Sequence, residues 1–167
     1  MINEARLVGE LLELVQVDSE TGEEGEICQV LKGKLASLGL DVFEDDSQER
    51  TGHGAGNLIA SLKGTKQAPT VLFTCHMDTV SPGKGIKPAV KDGYVVSDGT
   101  TILGSDDKAG IAAMLEGLKV LQEQQIEHGD LQLVITVGEE SGLVGAKALN
   151  RDDLKADFGF AFDSNGP

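Results

Sequence analysis

The sequence predicts an α/β domain: a doubly wound, mostly parallel sheet with helices on both faces. Three observations lead there. Amphipathic helical segments alternate along the chain with short apolar, β-prone runs, the order that builds parallel sheets. The 167 residues, 40% of them hydrophobic, match one domain with a core of its own. No internal repeat or low-complexity segment interrupts the alternation.

The elements follow in order. Leu7, Leu11, Leu14 and Val15 recur at helical spacing, and this first helix ends near the polar stretch VDSETGEEGE. Ile27, Val30, Leu31, Leu35 and Leu38 mark a second helix, closed by Gly39 as a C-terminal cap. LDVFED alternates as a strand does, and the polar, glycine-rich DSQERTGHGAG (46–56) reads as a loop. NLIASL and TVLFTC are short strands separated by KGTKQAP, a turn by composition. In KPAVKDGYVVSDG the Asp92-Gly93 pair signals a hairpin. The apolar triplet TIL (101–103) reads as a strand end. It precedes AGIAAMLEGLKVLQEQ, a helix with Ile111, Met114, Leu115, Leu118 and Leu121 on one face. LQLVITV (131–137) is a buried strand, LVGAKAL a short helix and FGFAF (158–162) a last strand.

Composition narrows the function classes. A formal charge of −14 argues against nucleic acid and against anionic membranes, both polyanions. Met1 leads into the charged, amphipathic INEARLVGELLELV, with no basic segment followed by an apolar one and no run long enough to span a bilayer. A cytoplasmic protein is expected. Cys28 and Cys75 make no disulfide framework and read as reduced, buried thiols.

In doubly wound sheets ligands collect beyond the carboxyl ends of the strands. There the sequence places His76-Met77-Asp78 after TVLFTC, Asp106-Asp107 after TIL, Glu139-Glu140 after LQLVITV and Asp163 after FGFAF. So many carboxylates in one crevice repel unless they are protonated or neutralised, and a pair of divalent cations neutralises them economically. An imidazole with carboxylates suits Zn, Mn or Co, whereas an all-oxygen set would suit Mg or Ca. In an extended His-x-Asp, Asp78 can accept the second ring N–H of His76 and fix its tautomer. Adjacent Glu139 and Glu140 point differently, so one can bind metal while the other faces an activated water. A carboxylate shared between two cations accounts for an acid at Asp106.

Each residue also has a plainer reading. His76 could be a hydrogen-bonded core histidine, and Asp106 and Asp107 could cap the next helix. GEESG could be a solvated turn, and Asp163 before SNG suits a β-turn. Chance would have to produce all four at strand ends together, so the joint reading is preferred. His128 sits in a helix-to-strand turn and reads as inert. His53 lies in a glycine-rich loop that turn chemistry explains as well as an approach to the site. Cys75 lacks an orienting third residue for a nucleophilic role. GHGAGN precedes a strand and is a poor dinucleotide fingerprint; G-x-S-x-G, H-E-x-x-H and the P-loop pattern do not occur.

TCHMDTV, GSDDKAG, VGEESGLVGAKAL and FDSNGP, in this order, resemble the motifs of the M20 co-catalytic metallopeptidases, and most closely the peptidase T-like (tripeptide aminopeptidase) branch. The resemblance spans essentially the whole chain. It implies a zinc-peptidase-like catalytic domain with two divalent ions, zinc foremost and Co or Mn as alternatives. It implies that His76 and Asp163 bind one metal and Glu140 the other, that Asp106 bridges them, that the Asp106–Asp107 peptide is cis, that Glu139 is the general base and that Asp78 orients His76. The implied activity is metal-dependent hydrolysis of peptide (amide) bonds, as aminopeptidase action on short peptides. Members of the family continue past DSNGP into a lid and dimerisation domain and then a C-terminal catalytic segment carrying a final histidine. Residues 1–167 are therefore expected to be the N-terminal part of the catalytic domain, with any homodimer formed through the absent lid. Neither His53 nor His128 matches the late histidine. The isolated chain could then be an inert fragment.

Two other readings remain. Deacylase or carboxypeptidase action on acyl-amino acids shares the same motifs. A receiver-type Mg-binding signalling module also has an acidic pair and a strand-end aspartate. It would need the pair after its first strand, and it has no use for His76-x-Asp78 or Glu139-Glu140.

Overall fold

The computed structural model describes residues 1–163. Two helices come first, α1 (Glu4–Val15) and α2 (Gly25–Ser37), then β1 (Asp41–Glu44), a short α3 (Ser47–Thr51), β2 (Leu58–Leu62) and β3 (Val71–His76). A hairpin of β4 (Ala89–Lys91) and β5 (Tyr94–Val96) leads to the long α4 (Ser105–Glu123). The chain continues through β6 (Leu131–Thr136), α5 (Val144–Ala148), a 3-10 turn (Arg151–Asp153) and β7 (Phe158–Ala161).

Five strands form one sheet in the order β1-β2-β6-β3-β7, and β4 pairs with β5 apart from it. The α/β class is as the sequence predicts, but the sheet is mixed. β3 runs parallel to both β6 and β7, whereas β2 is antiparallel to β1 and to β6. The cause is link length. Only residues 63–70 separate β2 from β3, too few for the crossover that a parallel return requires. β3 reaches β6 through the hairpin and α4, which is long enough.

The core lies between one sheet face and α1, α2 and α4. Leu14, Ile27, Leu31, Leu35, Leu58, Ile111, Leu115, Leu133 and Ile135 are buried there, and each such side chain contributes roughly 1.5–3 kcal/mol by leaving water. The strand residues of this face alternate: 58 and 60 on β2, 131, 133 and 135 on β6, and Cys75 on β3. The second face has lighter cover. There Gln132 Nε2 donates to the Asp153 carbonyl of the 3-10 turn, and Asn57 Nδ2 donates to the Gly145 carbonyl of α5.

Two segments depart from the sequence reading. TIL is not a strand; Ile102 N–H donates to the Pro82 carbonyl, tying the triplet to the loop after β3. The 46–56 stretch is not all loop, because Asp45 Oδ1 accepts from Ser47 N–H and Oγ and starts the five-residue α3. Gly39, with φ of +80°, closes α2 as expected.

Candidate metal centre

Three neighbouring parallel strands, β6, β3 and β7, end together. In register, His76 faces Thr136 and Thr74 faces Ala161, and Phe162 N–H continues the ladder to the Thr74 carbonyl. Residues just past each strand therefore meet: Glu139 and Glu140 after β6, His76 to Asp78 from β3, and Asp163 after β7. The fourth contribution comes from a helix. Asp106 stands at the start of α4, which packs on β3, so the expectation of four strand ends becomes three strand ends and one helix start. The Asp106–Asp107 peptide is cis, and both residues depart from helical φ/ψ.

Gly110 explains how closely α4 approaches. A Cβ there would lie 2.4 Å from Asp107 Oδ1, 2.7 Å from the Phe162 carbonyl and 2.8 Å from Cys75 Sγ, so only glycine fits. Asp107 is buried, and its Oδ1 accepts the Gly110 N–H at 3.2 Å, the helix-start support the sequence suggests.

Asp78 is fully buried and has two tasks. His76 Nδ1 lies 2.9 Å from the Asp78 carbonyl oxygen and 3.3 Å from its Oδ1, so residue 78 sets the ring orientation and leaves Nε2 facing Asp106 Oδ1 at 3.2 Å. The same carboxylate accepts the backbone N–H of Glu139 at 3.0 Å (Oδ1) and of Glu140 at 3.2 Å (Oδ2). One side chain thus holds both the histidine and the acidic turn.

Two donor sets result. His76, Asp106 and Asp163 can each present an atom within 4.8 Å of the others, and so can His76, Glu139 and Glu140. Among the described residues no lysine or arginine pairs with Asp106, Glu139, Glu140 or Asp163. Lys108 is fully buried two residues from Asp106, but its Nζ donates to the Val17 carbonyl at 2.7 Å. The electrostatics register this demand for positive charge. Burial disfavours the charged His76 ring, yet the Asp78 hydrogen bond and charge, with Asp107 and Asp106, outweigh it and raise the pKa to about 9. Burial pushes the Asp107 carboxyl up to about 6. Burial also raises Glu140, with the charges of Asp106 and Glu139 adding to it.

The remaining candidates fall outside these sets. His128 Nδ1 lies 2.7 Å from the Gly129 carbonyl, before β6 begins and thus at the opposite edge of the sheet. His53 reaches Ser141 rather than a carboxylate. Cys75 is buried, its thiol pushed well above the ordinary range by burial and by Asp107, which removes it as a nucleophile. The Ser164–Pro167 part of FDSNGP lies outside the described residues.

Residues 57–166 match the family model of peptidase family M28. The chain belongs to peptidase family M28. It is 64% identical to the Bacillus subtilis protein YqjE over 166 residues, covering 99% of this chain and 45% of that protein. The crystal structure of aminopeptidase PepT from Bacillus cereus superposes with a TM-score of 0.97 at 63% identity, covering 99% of this chain and 44% of that one. A tripeptidase structure from Staphylococcus aureus does so with 0.97 at 58%, covering 99% and 45%. The resemblance to M20 metallopeptidases of the peptidase T-like branch is borne out by these two structures. The M28 chain spans a little under half the length of each relative.

The donor chemistry of this M28 chain fits divalent cations. One imidazole and four carboxylates converge without a lysine or arginine partner among the described residues, and Asp107 Oδ2 is buried with no hydrogen-bond partner there. Sequence reasoning missed the second task of Asp78, the burial of Lys108 and the approach of His53. All three depend on which segments meet in space. The one local signal was GHGAG, whose glycines allow close backbone approach.

Proposed function

We propose that the intact protein carrying this chain hydrolyses short peptides as an aminopeptidase dependent on two divalent cations, zinc foremost, with Co or Mn able to replace it. The observation that carries this reading is the convergence of His76, Asp106, Glu139, Glu140 and Asp163, with no lysine or arginine paired to these carboxylates among the described residues. When bound, such cations make a water nucleophilic near neutral pH and polarise the scissile carbonyl. His76 and Asp163 would hold one ion, Glu140 the other, and Asp106 both. Glu139 would take the proton from the attacking water and return it to the leaving amine. Asp78 positions His76 Nε2 toward the ions and pins the backbone of Glu139 and Glu140.

The relatives' greater length supports reading this chain as the N-terminal part of the catalytic domain. A lid and dimerisation domain and a C-terminal segment with a further histidine would follow in the intact protein. Two buried, unpaired cysteines suit a cytoplasmic enzyme. The aminopeptidase and tripeptidase names of the two similar structures favour peptides over acyl-amino acids.

The test is to strip the intact protein with a chelator, restore Zn, Co or Mn, and assay tripeptides beside N-acyl-amino acids. Metal-restored cleavage of tripeptides at the N-terminal bond supports the reading. Metal-independent cleavage, or preference for the acyl-amino acid, would refute it.

A further inference from the structure

The geometry points to His53 as a positioning residue for the turn that carries Glu139 and Glu140; this rests on the roles proposed above for those two residues. His53 comes from the loop after α3, 85 positions before the turn, and touches it at both ends. On the near side its ring lies against Gly138. A Cβ on Gly138 would be 2.3 Å from His53 Nε2, 2.7 Å from Cδ2 and 3.0 Å from Cε1, and Gly138 itself has φ of +57°. The residue immediately before Glu139 is thus glycine both for its left-handed backbone and because the imidazole occupies the side-chain space.

On the far side, His53 Nε2 lies 3.1 Å from Oγ of Ser141, the residue immediately after Glu140. Ser141 Oγ donates its single proton to the Gly138 carbonyl at 3.1 Å. The ring nitrogen facing it must then be the donor, so His53 carries its proton on Nε2. Nδ1, buried and without a partner among the described residues, is left as the bare nitrogen. Ring, hydroxyl and carbonyl link the residues before and after the two glutamates, whose own N–H groups donate to Asp78.

The ring is itself anchored. His53 N–H donates to Thr51 Oγ1 at 3.3 Å, and the next residue, Gly54, donates to Oε2 of the fully buried Glu24 at 2.8 Å. Among the described residues His53 makes no hydrogen bond to either glutamate carboxylate, so its effect passes through the backbone of the turn.

The test uses the intact protein with His53→Ala, His53→Gln and Ser141→Ala. Loss of an outer hydrogen-bonding partner of a metal site costs about 10–100-fold in affinity or activity. His53→Ala should lower tripeptide kcat by roughly tenfold with KM within about twofold. Titration of the metal-free protein with Co²⁺, followed by visible absorption, should show the first equivalent unchanged and the second about tenfold weaker. His53→Gln, whose amide N–H can reach Ser141 Oγ, should recover most of both losses. Ser141→Ala should reproduce His53→Ala, and it keeps the test open should His53→Ala fold poorly. Wild-type kcat and wild-type binding of both equivalents in His53→Ala would overturn the inference, as would equal losses in the Ala and Gln variants. If the wild type binds two equivalents of Co²⁺ and cleaves no peptide, the peptidase reading fails while the Co²⁺ titration still decides the role of His53.

Discussion

Carboxylates are treated in opposite ways in two regions of this molecule. Where α1, α2 and α4 meet, the buried carboxylates Glu10 and Glu116 are each paired with a cation. Glu10 accepts from Lys119 Nζ at 2.8 Å, and Lys34 Nζ lies 2.8 Å from its other oxygen as an ion pair without hydrogen-bond alignment. Glu116 is held by Arg6 Nε at 2.6 Å. Burial works to raise Glu10, but the two lysines prevail and its pKa falls; the Arg6 hydrogen bond lowers Glu116. At the carboxyl edge of β6, β3 and β7 the acids converge without such partners, and there Asp107 and Glu140 are raised. The first region satisfies its own charge. The second leaves a demand that an external cation can meet.

The sharpest way to break this contrast is at Glu139. In the intact protein Glu139→Ala should lower kcat by about 10²–10⁴-fold, the usual loss for a general base. Bound metal, measured by elemental analysis, should remain. Retained turnover would remove Glu139 from its role. On the helical side, the double variant Lys34→Met/Lys119→Met leaves Glu10 buried without its cations. It should destabilise the fold by about 1–3 kcal/mol in chemical denaturation, the cost of an unsatisfied buried acceptor, with metal binding unchanged. No loss of stability would mean that Glu10 finds other solvation and that the contrast is weaker than drawn.

The smallest expected effect is on pH. In the metal-free protein the His76 pKa is raised from 6.5 to about 9. Its contribution to stability is therefore fully present below pH 6.5 and lost as pH rises toward 9. Asp107, raised from 3.8 to about 6, exerts its effect below that window. Lys108, which burial lowers from 10.5 to about 8, acts in the opposite sense only above pH 8. Between pH 6.5 and 8 the melting temperature of the metal-free protein should fall, and saturating zinc should abolish the fall. A flat or rising profile without metal would contradict the assignment of positive-charge demand to this edge.

The site was more legible than the sheet. His76, Asp78, Glu139, Glu140 and Asp163 each follow an apolar run, and the rule that ligands gather at strand ends needs only the order of strands and helices. Asp106 was found for a partly wrong reason, since TIL is no strand and the start of α4 delivers it. Strand direction was less accessible. Local alternation marks β1 and β2 as strands but is silent on direction; the brevity of the 63–70 link held that information. α3 was missed because SQERT has no apolar periodicity and depends on Asp45 to start it. The burial of Lys108 against the Val17 carbonyl joins residues 91 positions apart and leaves no local pattern. The grip of Asp78 and His53 on the acidic turn joins residues 61 to 88 positions apart, and no local pattern encodes it.

Calorimetric titration of the metal-free intact protein with Zn²⁺, beside its His76→Ala variant, tests the central claim most directly. Two equivalents bound by the wild type, with binding severely weakened by His76→Ala, is the predicted result. Absence of zinc binding, or binding indifferent to His76, would contradict a cation site at the meeting point of these three strands and one helix.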